Sequence, residues 1–266
     1  MSAELQSAVV GATGYSGQEL TRILFQHPRM KPPLLLSRET DDGNAPGEII
    51  SPVDGTAVPI HPFSWRLLHQ RGVDLLYLAT PHEVSREWVP QAIARGLRVI
   101  DLSGAWRLRT HQYAAAYGFK DIGSPASDAL MEKALYGLPE LCRNRLPDAQ
   151  LVANPGCYPT SAILALAPLL QAGLLDVEHG VVCDAKSGVS GAGKSPTPQT
   201  ISSRPRRISG RTRRSPIATP ARSWSSCNWR PRSWRSVRTC CPSGVGFCRA
   251  SMPTCNARSR RRNWKN

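Results

Sequence analysis

No apolar run in this chain approaches the roughly 18 residues a membrane-spanning helix requires, so no helical span is expected. The opening residues, Met1-Ser2-Ala3-Glu4-Leu5-Gln6, lack the basic and apolar blocks of a secretory signal. No His/Cys cluster before residue 200 has metal-ligand spacing, and no metal is expected. Cys142, Cys157 and Cys183 are irregularly spaced, which fits a reducing, cytoplasmic setting better than a disulfide framework. Internal repeats are absent. Two further absences are local: no acid occurs among residues 200–266, and no histidine follows His179. The 266 residues carry a net charge of +15, but 17 Lys/Arg and 19 Asp/Glu precede residue 200, whereas 17 Lys/Arg and no acid follow. An ordinary soluble body is joined to a polycationic tail.

The body alternates strand and helix patterns. Gln6–Val10, Leu34–Leu36, Asp74–Ala79, Arg98–Leu102 and Gln150–Ala153 read as short apolar strands. Leu20, Ile23, Leu24 and His27 fall at helical spacing before Pro28, and Glu83–Arg95 reads as a second helix. Such alternation predicts an α/β fold with a doubly wound, Rossmann-like parallel sheet. The expected division is a nucleotide-binding domain over 1–152, the start of an α+β catalytic domain over 153–199, and the tail over 200–266.

Two segments carry chemistry. Gly11-Ala12-Thr13-Gly14-Tyr15-Ser16-Gly17 follows the first strand and opens the first helix. Its G-x-x-G-x-x-G spacing departs from the usual G-x-G-x-x-G, but glycines there still let a pyrophosphate approach the backbone and the helix N-terminus. The second strand runs into Ser37-Arg38 where an NAD enzyme usually has an acid, which favours the 2′-phosphate of NADP. Asn154-Pro155-Gly156-Cys157-Tyr158-Pro159-Thr160 sets a cysteine in a Gly/Pro turn before an apolar helix that Gly173 should stop. A helix N-terminus presents partial positive charge, which favours a thiolate and suits a nucleophile for acyl groups.

Together with Ala79-Thr80-Pro81-His82, Asp101-Leu102-Ser103, Tyr136-Gly137-Leu138-Pro139-Glu140 and the Ser-Gly-rich run Lys186–Lys194, these motifs resemble the N-acetyl-γ-glutamyl-phosphate reductase family, the arginine-pathway branch of the semialdehyde dehydrogenase group. The motifs occur in the family's order across residues 5–199. The resemblance implies that the Cys157 thiolate attacks an acyl phosphate, expels phosphate and forms a thioester, which NADPH then reduces to a semialdehyde. It implies that Gly11, Thr13, Gly14, Tyr15, Ser16 and Gly17 cradle the cofactor, that Ser37 and Arg38 meet its 2′-phosphate, and that Ser187 and Gly188 lie on the nicotinamide side. Arg107 reads either as an anion partner for substrate or as a surface arginine. His82 reads either as a nicotinamide neighbour or as a hydrogen-bonded structural histidine. Family members commonly form homo-oligomers, and the alternative substrate within the group is aspartyl phosphate.

The family also carries an H-R-H-x-P-E motif after the Ser-Gly run, whose histidine acts as acid/base. It is absent, and the resemblance stops where the composition breaks. The tail mixes Arg, Ser and Pro with Trp224, Trp229, Trp234, Trp264 and five cysteines, and shows no sustained period. Arg-rich disorder explains the charge but not the tryptophans and cysteines. A reading frame shifted by one base near codon 200 explains both: residues 215–223 can then encode AHRHTxEI, the missing motif less its proline. Residues 200–212 and 237–248 likewise permit family segments, in order. The tail is accordingly expected to be a disordered frameshift product, the chain impaired or inactive, and apolar surface near residues 160–186 left exposed. Taken at face value, the tail could contact phosphates and stack bases, but its charge begins where the family match ends, so no specific nucleic-acid partner is expected.

Overall fold

The computed structural model describes residues 4–38, 47–108, 125–176, 180–185, 188–193 and 238–239. Ser7–Val10 (β1) is buried at every position, as a strand covered on both faces must be. Its side chains alternate between two cores: Ala8 and Val10 join one apolar cluster, Val9 the other. β1 pairs in parallel with Leu34–Ser37 (β2) on one side and Leu75–Leu78 (β5) on the other. Glu48–Ile50 (β3), Ala57–Pro62 (β4), Arg98–Asp101 (β6), Leu135–Tyr136 (β7) and Leu151–Ala153 (β8) complete an eight-stranded sheet ordered β3-β4-β2-β1-β5-β6-β8-β7. Only the β3–β4 pair is antiparallel. The chain runs outward from β1 through β2 and β4, then returns to β5 and continues the other way. The crevice at that reversal, beyond the strands' carboxyl ends, is where doubly wound sheets bind ligands.

Helices cover both faces. Tyr15–Phe25 (α1) brings Leu24 onto the Val9, Leu35 and Ile60 face. Trp65–Gln70 (α2), His82–Ala94 (α3) and Pro125–Lys133 (α4) bring Leu68, Val89, Ala92 and Met131 to the opposite face, where Trp106 is also buried. Pro139–Cys142 (α5) is a single turn between β7 and β8. The expected strands and helices are present, with ends displaced by a residue or so. The sheet is larger than the sequence predicts, by the parallel strands β4 and β7 and the antiparallel edge strand β3, and α2, α4 and α5 are further additions.

Cys157–Gln171 (α6) departs from the other helices. It is rich in Ala and Leu, yet only Ile163 and Ala167 are buried, and Gly173 with φ of +67° ends it. Leu164, Leu169 and Leu174 are exposed by 40%, 40% and 71%, the apolar surface expected near residues 160–186. Beyond it, Val182–Cys183 (β9) pairs in parallel with Arg238–Thr239 (β10). Those two residues are an exception to the reading of the tail as lacking strand; the rest of 200–266 lies outside the described residues.

Candidate functional site

The site is built from loops leaving the carboxyl ends of β1, β2, β5, β6 and β8. Gly11 turns the chain at φ of +83°, a conformation L side chains rarely adopt, and its N–H donates to the Leu36 carbonyl at 2.9 Å. A Cβ at Gly11 would collide with the Ala79 carbonyl oxygen. A Cβ at Gly17 would collide with the Gly11 carbonyl oxygen, because helix and turn are packed backbone to backbone. Gly14 is different: it is the extended residue before α1, and a Cβ there would meet only the Gly11 oxygen at 3.6 Å. No side chain caps α1 and its first turn holds no acid. Its leading N–H groups therefore present partial positive charge to the crevice. Thr13, Tyr15 and Ser16 are exposed on this loop.

Ser37 ends β2 beside that turn. Its hydroxyl donates to the His61 carbonyl at 3.5 Å, and Arg38 next to it is exposed. Across the reversal, Thr80 follows β5. Its Oγ1 is buried and, among the described residues, has no partner, an orphaned polar atom at the carboxyl end of the sheet that sequence reasoning does not single out. An anion-attracting helix end, an unsatisfied hydroxyl and an exposed cation at the end of β2 together fit a dinucleotide with an anionic ribose substituent.

His82 opens α3, and its Nδ1 accepts the Gly104 N–H at 2.8 Å. Burial, with help from the Arg107 charge, holds the imidazole below its ordinary range, against the pull of Glu83 and Asp101. A neutral ring is what that acceptor geometry requires. Asp101, at the end of β6, is fully buried. It accepts the Ser103 N–H at 3.1 Å and the Ser103 hydroxyl at 2.7 Å, and it also bonds the Ser85 side chain of α3. Burial pushes this carboxyl up, and the hydroxyl and backbone donors oppose the shift. Ser85 Oγ in turn accepts the Trp106 indole N–H at 3.2 Å.

The same turn ends in Arg107, which is no free surface arginine. Its Nη2 donates to the Leu102 carbonyl at 2.8 Å and its Nε to the Asn154 carbonyl at 2.7 Å, bridging the loops after β6 and β8. Its Nη1 lies against the turn before Cys157, where a Cβ at Gly156 would sit 3.0 Å away. Gly156 is the extended residue before α6, and Cys157 is the first residue of that helix. Cys157 is exposed and unpaired, whereas Cys142 is buried with its thiol toward the Leu138 and Tyr136 carbonyls. Thr160 closes the turn through its N–H and hydroxyl, both donated to the Gly156 carbonyl.

The structure therefore brings the glycine turn, Ser37-Arg38, Arg107 and Cys157 to one end of the sheet. Gly188 lies on a separate segment, before the turn Val189–Ala192, and Ser187 lies outside the described residues. Among the described residues no group of three His, Cys, Asp or Glu side chains could hold a metal ion, and no helix is long and apolar enough to cross a membrane.

Residues 6–149 match the family model described as semialdehyde dehydrogenase, NAD binding domain, and residues 157–207 match semialdehyde dehydrogenase, dimerisation domain. The N-acetyl-gamma-glutamyl-phosphate reductase of Shigella flexneri is 42% identical over 197 residues, covering 71% of this chain and 57% of that protein. The reductase of the same name from Geobacillus stearothermophilus is 42% identical over 190 residues, covering 70% and 52%. The chain thus spans little more than half the length of these relatives. Aspartate semialdehyde dehydrogenase II from Vibrio cholerae superposes with a TM-score of 0.51 at 21% identity, over 73% of this chain and 49% of that one. That likeness is one of fold.

Proposed function

The chain belongs to the semialdehyde dehydrogenase family, and from that membership we propose that its site is built to reduce N-acetyl-γ-glutamyl phosphate to N-acetylglutamate semialdehyde through a thioester on Cys157. The observation that carries the reading is the pairing of an exposed thiol at the head of α6 with the Arg107 guanidinium against Gly156. The relatives' names favour this substrate over aspartyl phosphate.

In this reading the Cys157 thiolate forms a C–S bond to the acyl carbon while the C–O bond to phosphate breaks, and phosphate leaves. Arg107 keeps its bonds to Leu102 and Asn154 and directs Nη1 toward the departing anion. Gly11, Thr13, Gly14, Tyr15, Ser16 and Gly17 would hold the cofactor's pyrophosphate, Arg38 with Ser37 would meet its 2′-phosphate, and Ser187 and Gly188 would lie on its nicotinamide side. NADPH, when bound, supplies the hydride that converts the thioester to the aldehyde. A proton must also be delivered, and the family's acid/base histidine is absent from this sequence. The chain is therefore expected to acylate at Cys157 and release little aldehyde. A second copy of the chain is the protein partner, given the match to a dimerisation domain; the irregularly spaced Cys142, Cys157 and Cys183, all free, support a cytoplasmic setting.

The test is mass spectrometry of the Cys157 peptide after exposure to each acyl phosphate. An N-acetylglutamyl adduct with release of phosphate, lost in Cys157→Ser, is expected. No adduct, or faster acylation by aspartyl phosphate, would overturn the reading. We also infer that residues 200–266 arise from a one-base frame change, and resequencing codons 195–205 decides it. An additional base restores the acid/base motif, and an unchanged sequence removes the inference.

A further inference from the structure

Asp101 is a completely buried carboxyl group with no part in the chemistry proposed above. Its surroundings account for it. Both carboxylate oxygens are used within the turn that follows, on the Ser103 N–H and the Ser103 hydroxyl. Ser103 Oγ passes the constraint on by accepting the Ala105 N–H at 3.0 Å. Ser85 ties the same carboxylate to α3, and Trp106, buried and bonded to Ser85, fixes the far side of the turn. Arg107 comes next in the chain, and so leaves the turn in a defined direction. Asp101 also acts through its backbone, since its carbonyl accepts the Asn154 N–H at 2.9 Å. One residue therefore grips both loops that Arg107 bridges.

We propose that Asp101 is a positioning residue for the nucleophile: its buried carboxylate folds residues 102–107 into a brace that holds Arg107 on the Asn154 carbonyl and against Gly156, and thereby fixes the turn that presents Cys157. The proposal rests on the reading of Cys157 as nucleophile, but its central test needs no substrate. Apolar packing alone would not need this group. A buried carboxylate persists only where donors and nearby positive charge hold it; here the donors belong to the brace or its support, and the charge is that of Arg107 itself.

Hydrogen exchange read by mass spectrometry on the full 266-residue chain tests it. In Asp101→Asn the side chain keeps one acceptor for the Ser103 N–H and loses the second for the hydroxyl. Exchange over residues 102–107 and 154–160 is expected to rise by about tenfold, the size of one lost charge-assisted bond, with β1 and α1 within about twofold of wild type. Arg107→Gln should loosen 154–160 and leave the Ser103 turn protected, because the brace lies upstream of the arginine. Ser103→Ala removes no charge and keeps the experiment decisive if Asp101→Asn does not fold. In that variant the rate of Cys157 alkylation by iodoacetamide should change by more than about threefold, with alkylation of the buried Cys142 unchanged, a signature confined to the turn the brace holds. Unchanged exchange over 154–160 in Asp101→Asn, or an equal rise in every peptide, would overturn the proposal. Absence of acylation by N-acetylglutamyl phosphate with the exchange pattern intact would remove the substrate reading and leave the brace standing.

Discussion

Gly17→Ala and Gly14→Ala are chemically the same change, three residues apart, and should have unequal effects. At position 17 the new methyl would lie on the Gly11 carbonyl oxygen, with the Gly11 carbonyl carbon 2.8 Å and the Ala12 Cα 3.0 Å away. All three atoms are backbone, and the turn they belong to is fixed by the bond from Gly11 N–H to the Leu36 carbonyl at 2.9 Å. The helix cannot retreat without uncovering Leu24, buried against Val9 and Leu35. Overpacking of this kind costs about 1–3 kcal/mol or more. The better helix propensity of alanine returns at most about 1 kcal/mol. A net loss of about 2 kcal/mol lowers the midpoint of thermal unfolding by about 4–8 °C for a folded body of this size. At position 14 the methyl meets only the Gly11 oxygen at 3.6 Å, and the backbone is already extended. Only a helix-capping preference is lost there, about 1 kcal/mol or less. Circular dichroism melts of the two variants, with fluorescence titration of NADPH, give the comparison. A Gly17→Ala protein that melts with wild type, or below which Gly14→Ala falls, would refute the packing described for the turn.

Arg38→Asp should weaken NADPH at least about tenfold while leaving NADH within a few-fold, as fluorescence titration would show; equal loss of both would place the 2′-phosphate elsewhere. Burial holds the His82 pKa below its ordinary 6.5, so the unfolded chain binds the extra proton first. Stability should therefore fall as pH drops below about 6.5 toward the lowered folded value, and be level above it. His82→Asn, whose Oδ1 can take over the Gly104 N–H, should remove that portion of the pH dependence in urea titrations; persistence of the slope would assign it to another group. Gly156→Ala would place its methyl 3.0 Å from Arg107 Nη1, and is expected to change the Cys157 alkylation rate while NADPH affinity holds. An unaltered rate would mean the guanidinium moves aside freely.

The buried strands were legible because parallel strands covered on both faces are written as apolar runs, as in Ser7–Val10 and Leu34–Ser37. β3 and β4 were not. They lie at the sheet's outer edge with mostly exposed or half-exposed positions, and β4 contains Pro59 and Pro62, which argue against strand. The six-residue α2 and two-residue β7 are too short to show a period. At the site, the placement of Cys157 at the head of α6 and of the glycine turn between β1 and α1 is readable because each depends on adjacent residues. The sequence does not choose between the two readings of Arg107, because its partner Asn154 lies 47 positions away and no local pattern encodes that bond. Asp101 was seen only as part of a motif, since the sequence of β6 does not say that its last side chain is enclosed. Thr80 was passed over for the same reason: an orphaned hydroxyl is a property of the packed molecule.

Every strand of the large sheet is complete by Ala153, and both sheet neighbours of β8 precede it in the chain. On the ribosome, synthesis runs from the amino terminus at about 5–20 residues per second, so the nucleotide half can close before α6 has left the exit tunnel. Cys157 emerges afterwards, at the head of a helix of which only Ile163 and Ala167 are buried, in a small cluster with Tyr136 of β7 and Leu138. Assembly order then reverses the order proposed for the reaction: the crevice is made first, and the thiol that would act first arrives last.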